Sequence, residues 1–148
     1  MSSDKPSRPQ REEYGYLCPV DSRWSDNDIY GHINNVTYYS YFDTVVNRYL
    51  IDVGGLDINN DEIVGYTVET KCKFMKPLAF PEPLEAGLRV GKLGRSSTRY
   101  EIGIFRKGDN DAAASGHFVH VFVDHTTGKP VEIPGSIRNA LEKILSAA

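Results

Sequence analysis

The second half of the chain alternates apolar and charged residues with period two, and this limits the possible folds more than any other feature of the sequence. Val64, Tyr66, Val68, Cys72 and Phe74 share one parity, and Glu69, Lys71 and Lys73 lie on the other. Leu84, Ala86, Leu88 and Val90 alternate with Glu85 and Arg89, and Tyr100, Ile102 and Ile104 with Arg99 and Glu101. Successive side chains of a strand point to opposite faces, so each run predicts a half-buried antiparallel strand. The run His117 to Val123 is apolar on both parities and predicts a strand covered on both faces. The breaks at 77–83, 94–97 and 107–110 are short and rich in turn formers, as connections between antiparallel neighbours are. Such a sheet needs a cover for its apolar face.

The cover is expected from the segment Tyr30 to Leu50. Val36, Thr37, Tyr38, Tyr39, Tyr41, Phe42, Val45 and Val46 are residue types that favour strands. Yet Tyr38, Phe42, Val45 and Tyr49 fall at helical spacing, Asn34 and Asn35 offer capping side chains, and Gly54-Gly55 offers a stop. The spacing predicts a mostly buried helix. A short strand is expected over Tyr16 to Trp24, interrupted at Pro19. A last helix is expected from about Pro134 to Ser136 onward, with Ile137, Leu141, Ile144 and Leu145 as its apolar stripe. Residues 1–13 are too polar to bury a core and read as a disordered tail. The order of strand, long helix, four strands and short helix defines one α+β domain over residues 14–148.

The 148 residues suit one core, and a net charge of −3 gives no general attraction to nucleic acid or an anionic membrane. Cys18 and Cys72 are far apart and outside any C-x-x-C pair, which excludes a disulfide framework or a cysteine-built zinc site. No apolar run approaches the roughly 20 residues that span a bilayer, and the polar N-terminus lacks a signal-peptide core. A cytoplasmic location follows as the expectation.

The chemistry concentrates at Arg23 to Tyr38. Asp26, Asn27, Asp28, Gly31, His32, Asn34 and Asn35 crowd the approach to the central helix. The first amides of a helix lack internal partners and carry the positive end of its dipole, so they can polarise a carbonyl oxygen. A carboxylate placed just before them can attack a carbonyl or activate water. Gly31 lets a substrate approach the backbone closely. Asp, Asn and Gly before a helix are equally the residues of ordinary caps and turns.

The stretch Asp26-Asn27-Asp28-Ile29-Tyr30-Gly31-His32-Ile33-Asn34-Asn35 resembles the D-x-D-x-x-G-H-x-N-N signature of hotdog-fold thioesterases of the 4-hydroxybenzoyl-CoA thioesterase type. The aromatic run Tyr38 to Phe42 and the turn Gly94-Arg95-Ser96-Ser97 are similar to that family as well. The resemblance implies a long helix wrapped by a curved antiparallel sheet of about five strands. It further implies a homodimer with interfacial active sites, in some cases a homotetramer, acting on acyl-CoA thioesters without metal or cofactor. It assigns the catalytic role to Asp28, with Asp26 structural. Backbone amides near Gly31 and His32 are implied to polarise the carbonyl, and Asn35 to hold the helix start or orient water. Tyr30, Asn34 and Tyr38 are implied to contact substrate. Asp28 could form an anhydride or deprotonate water. Acyl carrier protein thioesters, or a non-catalytic role in binding acyl thioesters, are the alternatives.

Coenzyme A carries phosphates, and Lys92, Arg95, Ser96 and Ser97, near Arg99, form a basic, hydroxyl-bearing turn suited to hold them. The same residues also suit a solvated turn. His117 and His120 are three apart on a strand, face opposite sides and make no zinc pair. Gly128-Lys129-Pro130 lacks the rest of a P-loop. Glu69 lies on an exposed parity and takes no catalytic role.

Overall fold

The computed structural model describes residues 8–59 and 61–146. Its elements in chain order are strand β1 (Tyr16–Val20), helix α1 (Asn35–Asp52), strands β2 (Ile63–Phe74), β3 (Leu84–Leu93), β4 (Ser97–Arg106) and β5 (Ala114–Asp124), and helix α2 (Gly135–Lys143). The strands form one antiparallel sheet in the order β1-β3-β4-β5-β2. This is the hotdog arrangement, a sheet laid around a long central helix.

Helix α1 forms although its sequence is rich in strand-favouring residues, because one face of it is entirely core. Tyr38, Tyr41, Phe42, Val45, Val46, Tyr49 and Leu50 are all buried. Full burial of each large apolar side chain contributes roughly 1.5–3 kcal/mol, several times the helix-propensity deficit of a β-branched or aromatic residue. Asn34 caps the start by accepting from the Val36 amide at 3.1 Å. Gly55, with φ +73°, supplies the left-handed residue just past the C-terminus. The helix sits tightly on β5 at Gly116, where an added Cβ would come within 2.8 Å of the Phe42 ring. On the sheet side the core is closed by Leu84, Ala86, Leu88, Val90, Tyr100, Ile102, Ile104, Phe118 and Phe122, all buried.

Three expectations change. The shared parity of Val64, Tyr66, Val68, Cys72 and Phe74 is split by a β-bulge between Thr67 and Glu69. One extra residue inverts the facing that follows it. Val64 lies beside Val123 and Tyr66 beside Val121, on the face away from α1, whereas Cys72 and Phe74 lie on the helix side. Strand β5 is buried along Phe118, His120 and Phe122, but Val119 and Val121 are only partly covered. The first strand ends at Val20, and Trp24 belongs to a single 3-10 turn, Trp24–Asp26. Pro19 stays inside β1 because β1 is an edge strand, where a missing N–H is tolerated.

The tail expected over 1–13 falls, for residues 1–7, outside the described residues. Residues 8–13 are tied to the domain: Arg8 Nε donates to the Ala112 carbonyl at 2.8 Å, Arg11 N to the Asn110 carbonyl at 2.8 Å, and Arg11 pairs with Glu85. Among the described residues, contacts with the domain thus extend N-terminal of Tyr14 as far as Arg8. No described helix is long and apolar enough to cross a membrane.

Candidate active site

Residues 23–34 form a loop between β1 and α1 in which successive side chains take different roles. Asp26 turns inward and is buried. Its Oδ2 accepts from the Arg23 amide at 2.9 Å and the Tyr41 hydroxyl at 2.7 Å, and its Oδ1 from the Arg23 guanidinium at 3.2 and 3.3 Å. Burial acts to raise the Asp26 pKa, but these hydrogen bonds outweigh it and hold the carboxyl below the usual carboxylate range. Asn27 turns sideways, its Oδ1 accepting from the Phe80 amide at 3.0 Å. Asp28 turns outward and is half-buried.

Around Asp28 the chain reverses. The Asp28 amide donates to the His32 carbonyl at 2.8 Å, and the Gly31 amide to the Asp28 carbonyl at 3.0 Å. Gly31 has φ +82°, the left-handed conformation that lets so short a reversal close. Asp28 Oδ1 accepts from the Tyr30 amide at 2.9 Å and, at the long distance of 3.4 Å, from the His32 amide. The Gly31 and His32 amides therefore have partners within the loop, and both residues precede the helix. The first helical amide, that of Asn35, has no hydrogen-bond partner among the described residues.

Asp28 lines a cleft of about 420 Å³ together with His32, Ile33, Asn35, Tyr38, Phe74, Met75, Lys76 and Pro77. Four of the residues singled out from the sequence, Asp28, His32, Asn35 and Tyr38, thus converge on one cavity. The far wall comes from the end of β2, and nothing in its sequence marks Phe74, Met75 or Lys76 as site residues. Tyr38 and Phe74 stack edge to face with centroids 5.0 Å apart. Burial pushes the Tyr38 phenol up to about 12 and the Cys72 thiol up to about 12. Near neutral pH the phenol keeps its proton, and Cys72 carries no thiolate to compete as nucleophile. A second hollow, of about 700 Å³, is also lined by Asp28, together with Trp24, Ser25, Asn27, Ile29, Gly31 and Asn34. Trp24 and Ile29 are strongly exposed there; Asn34 lines this second hollow but not the first, and Tyr30, also exposed, lines neither.

The basic turn lies elsewhere. Ser97 is in register with Val121 and Val121 with Tyr66, whereas the cleft residue Phe74 is in register with Ala114. Val121 and Ala114 are seven steps apart on β5, about 23 Å along the strand. One chain does not bring Lys92, Arg95, Ser96 and Ser97 to Asp28. Lys92 and Arg95 are exposed. The turn is closed by the Gly94 amide donating to the Ser97 carbonyl and tied to α2 by Arg138 donating to the Gly94 carbonyl.

His117 and His120 face opposite sides: His117 contacts Glu69 at 2.6 Å on the outer face, and His120 is buried among Tyr100, Phe118 and Phe122. Among the described residues no three His, Cys, Asp or Glu side chains gather as a metal site.

A carboxylate beside a cleft at the start of a hotdog helix is an arrangement suited to a thioesterase-like protein. Residues 22–141 match the family described as the thioesterase-like superfamily, and the chain belongs to it. It is similar to the PA5185 protein of Pseudomonas aeruginosa strain PAO1, with 52% identity and a TM-score of 0.94 over 95% of this chain and 99% of that one. A thioesterase from Thermus thermophilus, solved with coenzyme A and Zn, is 27% identical with a TM-score of 0.75, over 90% of this chain and 96% of that one. The protein YsmA of Bacillus subtilis strain 168 is 26% identical over 129 residues, 86% of each chain.

Proposed function

We propose that the protein hydrolyses acyl-CoA thioesters in the cytoplasm, with Asp28 as the carboxylate that attacks the thioester carbon or activates water. The observation that carries this reading is the convergence of Asp28, His32, Asn35 and Tyr38 on one cleft. The acyl group occupies the space between Tyr38, Phe74 and Met75. The carbonyl oxygen takes its hydrogen bond from the Asn35 amide at the positive end of α1, assisted by the His32 amide, whose contact with Asp28 is long enough to yield. Gly31 acts by closing the reversal that presents Asp28. The coenzyme A complex of the Thermus relative supports a coenzyme A thioester over a carrier-protein thioester.

The separation between Asp28 and the basic turn supports a site completed by a second copy of the chain. Strand β2 is an unpaired edge of 12 residues with Tyr66, Val68 and Phe74 exposed. A long, partly apolar edge of this kind recruits another strand. In the proposed homodimer the β3–β4 turn of the second copy, with its basic and hydroxyl side chains, holds the phosphates of the substrate. Two such dimers assembled as a tetramer remain compatible with this site.

The test compares one acyl group on coenzyme A and on N-acetylcysteamine. Arg95→Ala is expected to raise KM for the coenzyme A thioester roughly tenfold, the loss of about one charge-assisted phosphate contact, and to leave the short thioester unchanged. Equal effects on both substrates would remove the phosphate anchor from the account.

A further inference from the structure

Asp26 and Asp28 are separated by one residue in extended conformation, Asn27 having φ −75° and ψ 140°. Displacing Asp26 therefore displaces Asp28. The Asp26 carboxylate is 2% exposed and receives four hydrogen bonds. Three come from Arg23, which belongs to the same loop and moves with it. The fourth, from the Tyr41 hydroxyl at 2.7 Å, is the one that reaches this carboxylate from helix α1. Tyr41 is itself buried on the packed face of the helix, its ring edge to face with that of Tyr38, so its hydroxyl is a fixed point. The cleft residues Asn35 and Tyr38 stand on the same helix.

We infer that Tyr41 is a positioning residue for the thioesterase reaction: through its hydrogen bond to Asp26 it holds the Asp28 carboxylate in register with the Asn35 amide and the Tyr38 wall. The inference rests on the reading of Asp28 as the catalytic carboxylate. Tyr41 does not line the cleft and touches no reacting atom. Its effect passes through two residues of loop to Asp28. Other ties remain when it is removed, namely Asn27 to Phe80 and the Asn34 amide to the Asp26 carbonyl at 2.9 Å. Loss of the Tyr41 bond therefore loosens Asp28 and leaves the loop attached. A misplacement on the order of 1 Å is enough to cost up to about a hundredfold in rate.

The experiment is a double-mutant cycle of Tyr41→Phe and Asp28→Asn, read as kcat and KM by free-thiol release from an acyl-CoA, with thermal unfolding of each protein recorded in parallel. Tyr41→Phe alone is expected to lower kcat by roughly tenfold to a hundredfold with KM changed less than about threefold. In the Asp28→Asn background the same change is expected to lower kcat by less than about threefold, since the group it positions is gone. Equal losses in both backgrounds overturn the inference, because a purely structural role acts regardless of residue 28. If Tyr41→Phe does not fold, Asp26→Asn enters the same cycle with the same expected pattern. If neither variant folds, the contact is a folding requirement and the positioning role is rejected. Wild-type turnover in Asp28→Asn overturns instead the catalytic assignment itself, so the two failures are distinct.

Discussion

Asp28→Asn is expected to lower kcat for acyl-CoA hydrolysis by about a hundredfold or more, the scale of general-base or nucleophilic participation. The substitution preserves the shape of the side chain. The introduced carboxamide still offers an oxygen to the Tyr30 amide, which in the wild-type protein donates to Asp28 at 2.9 Å, and the Gly31 reversal is built on main-chain bonds. The fold and the cleft should therefore persist, and KM should move little. On the proposed mechanism, what is lost is the carboxylate oxygen that acts on the thioester carbon or on water. Steady-state kinetics on protein shown to be folded by circular dichroism provide the measurement. Turnover within about threefold of wild type would remove Asp28 from the mechanism.

Acidification from pH 7 to pH 4 is expected to cost the folded state about 3 kcal/mol through His120 alone. His120 is 2% exposed, its Nδ1 has no partner among the described residues, and burial lowers its pKa from the ordinary 6.5 to about 4. Between these values the unfolded chain binds a proton that the folded chain refuses. The contribution is thus complete above pH 6.5, declines as pH falls through the window and is gone below pH 4. Asp26 adds a further loss only at lower pH, since its folded pKa lies below the usual carboxylate range and its stabilisation disappears as that carboxyl is protonated. Urea unfolding at several pH values between 4 and 7.5 separates the two. His120→Phe, a ring of similar size among Tyr100, Phe118 and Phe122, should flatten the slope across the His120 window. An unchanged slope in that variant would show that His120 is not the titrating group.

Much of the fold is legible in the residues. Period-two alternation marks β3 and β4 because each has one buried face, and the Asn34 cap and Gly54-Gly55 stop bound α1 despite its strand-like composition. The bulge in β2 is not legible. Its effect is to exchange the faces of residues on either side of Val68, and an apolar residue reads the same on either face of an edge strand. The attachment of residues 8–13 is likewise hidden, because it is made of backbone carbonyls, the Gln10–Asp111 contact and two arginine–glutamate pairs, Arg11–Glu85 and Arg89–Glu13, rather than an apolar stripe. In the site, the concentration of Asp, Gly, His and Asn before the helix identifies the Asp28 loop. The wall formed by Phe74, Met75 and Lys76 is reached only through tertiary packing. The commitment of the Gly31 amide to the Asp28 carbonyl depends on the turn that Gly31 adopts, which residue types alone do not specify. The Tyr41–Asp26 bond joins residues 15 apart in sequence across a loop-to-helix boundary and shows no spacing signal.

The most direct measurement is free-thiol release by the wild-type protein across a panel of coenzyme A thioesters of graded chain length and aromatic acyl groups. A functional cleft at Asp28 predicts saturable hydrolysis of at least one member, with kcat/KM of about 10⁴ M⁻¹s⁻¹ or above, within the ordinary enzyme range. Binding of these thioesters with no thiol released from any of them would contradict the account and leave the cleft a binding site without chemistry.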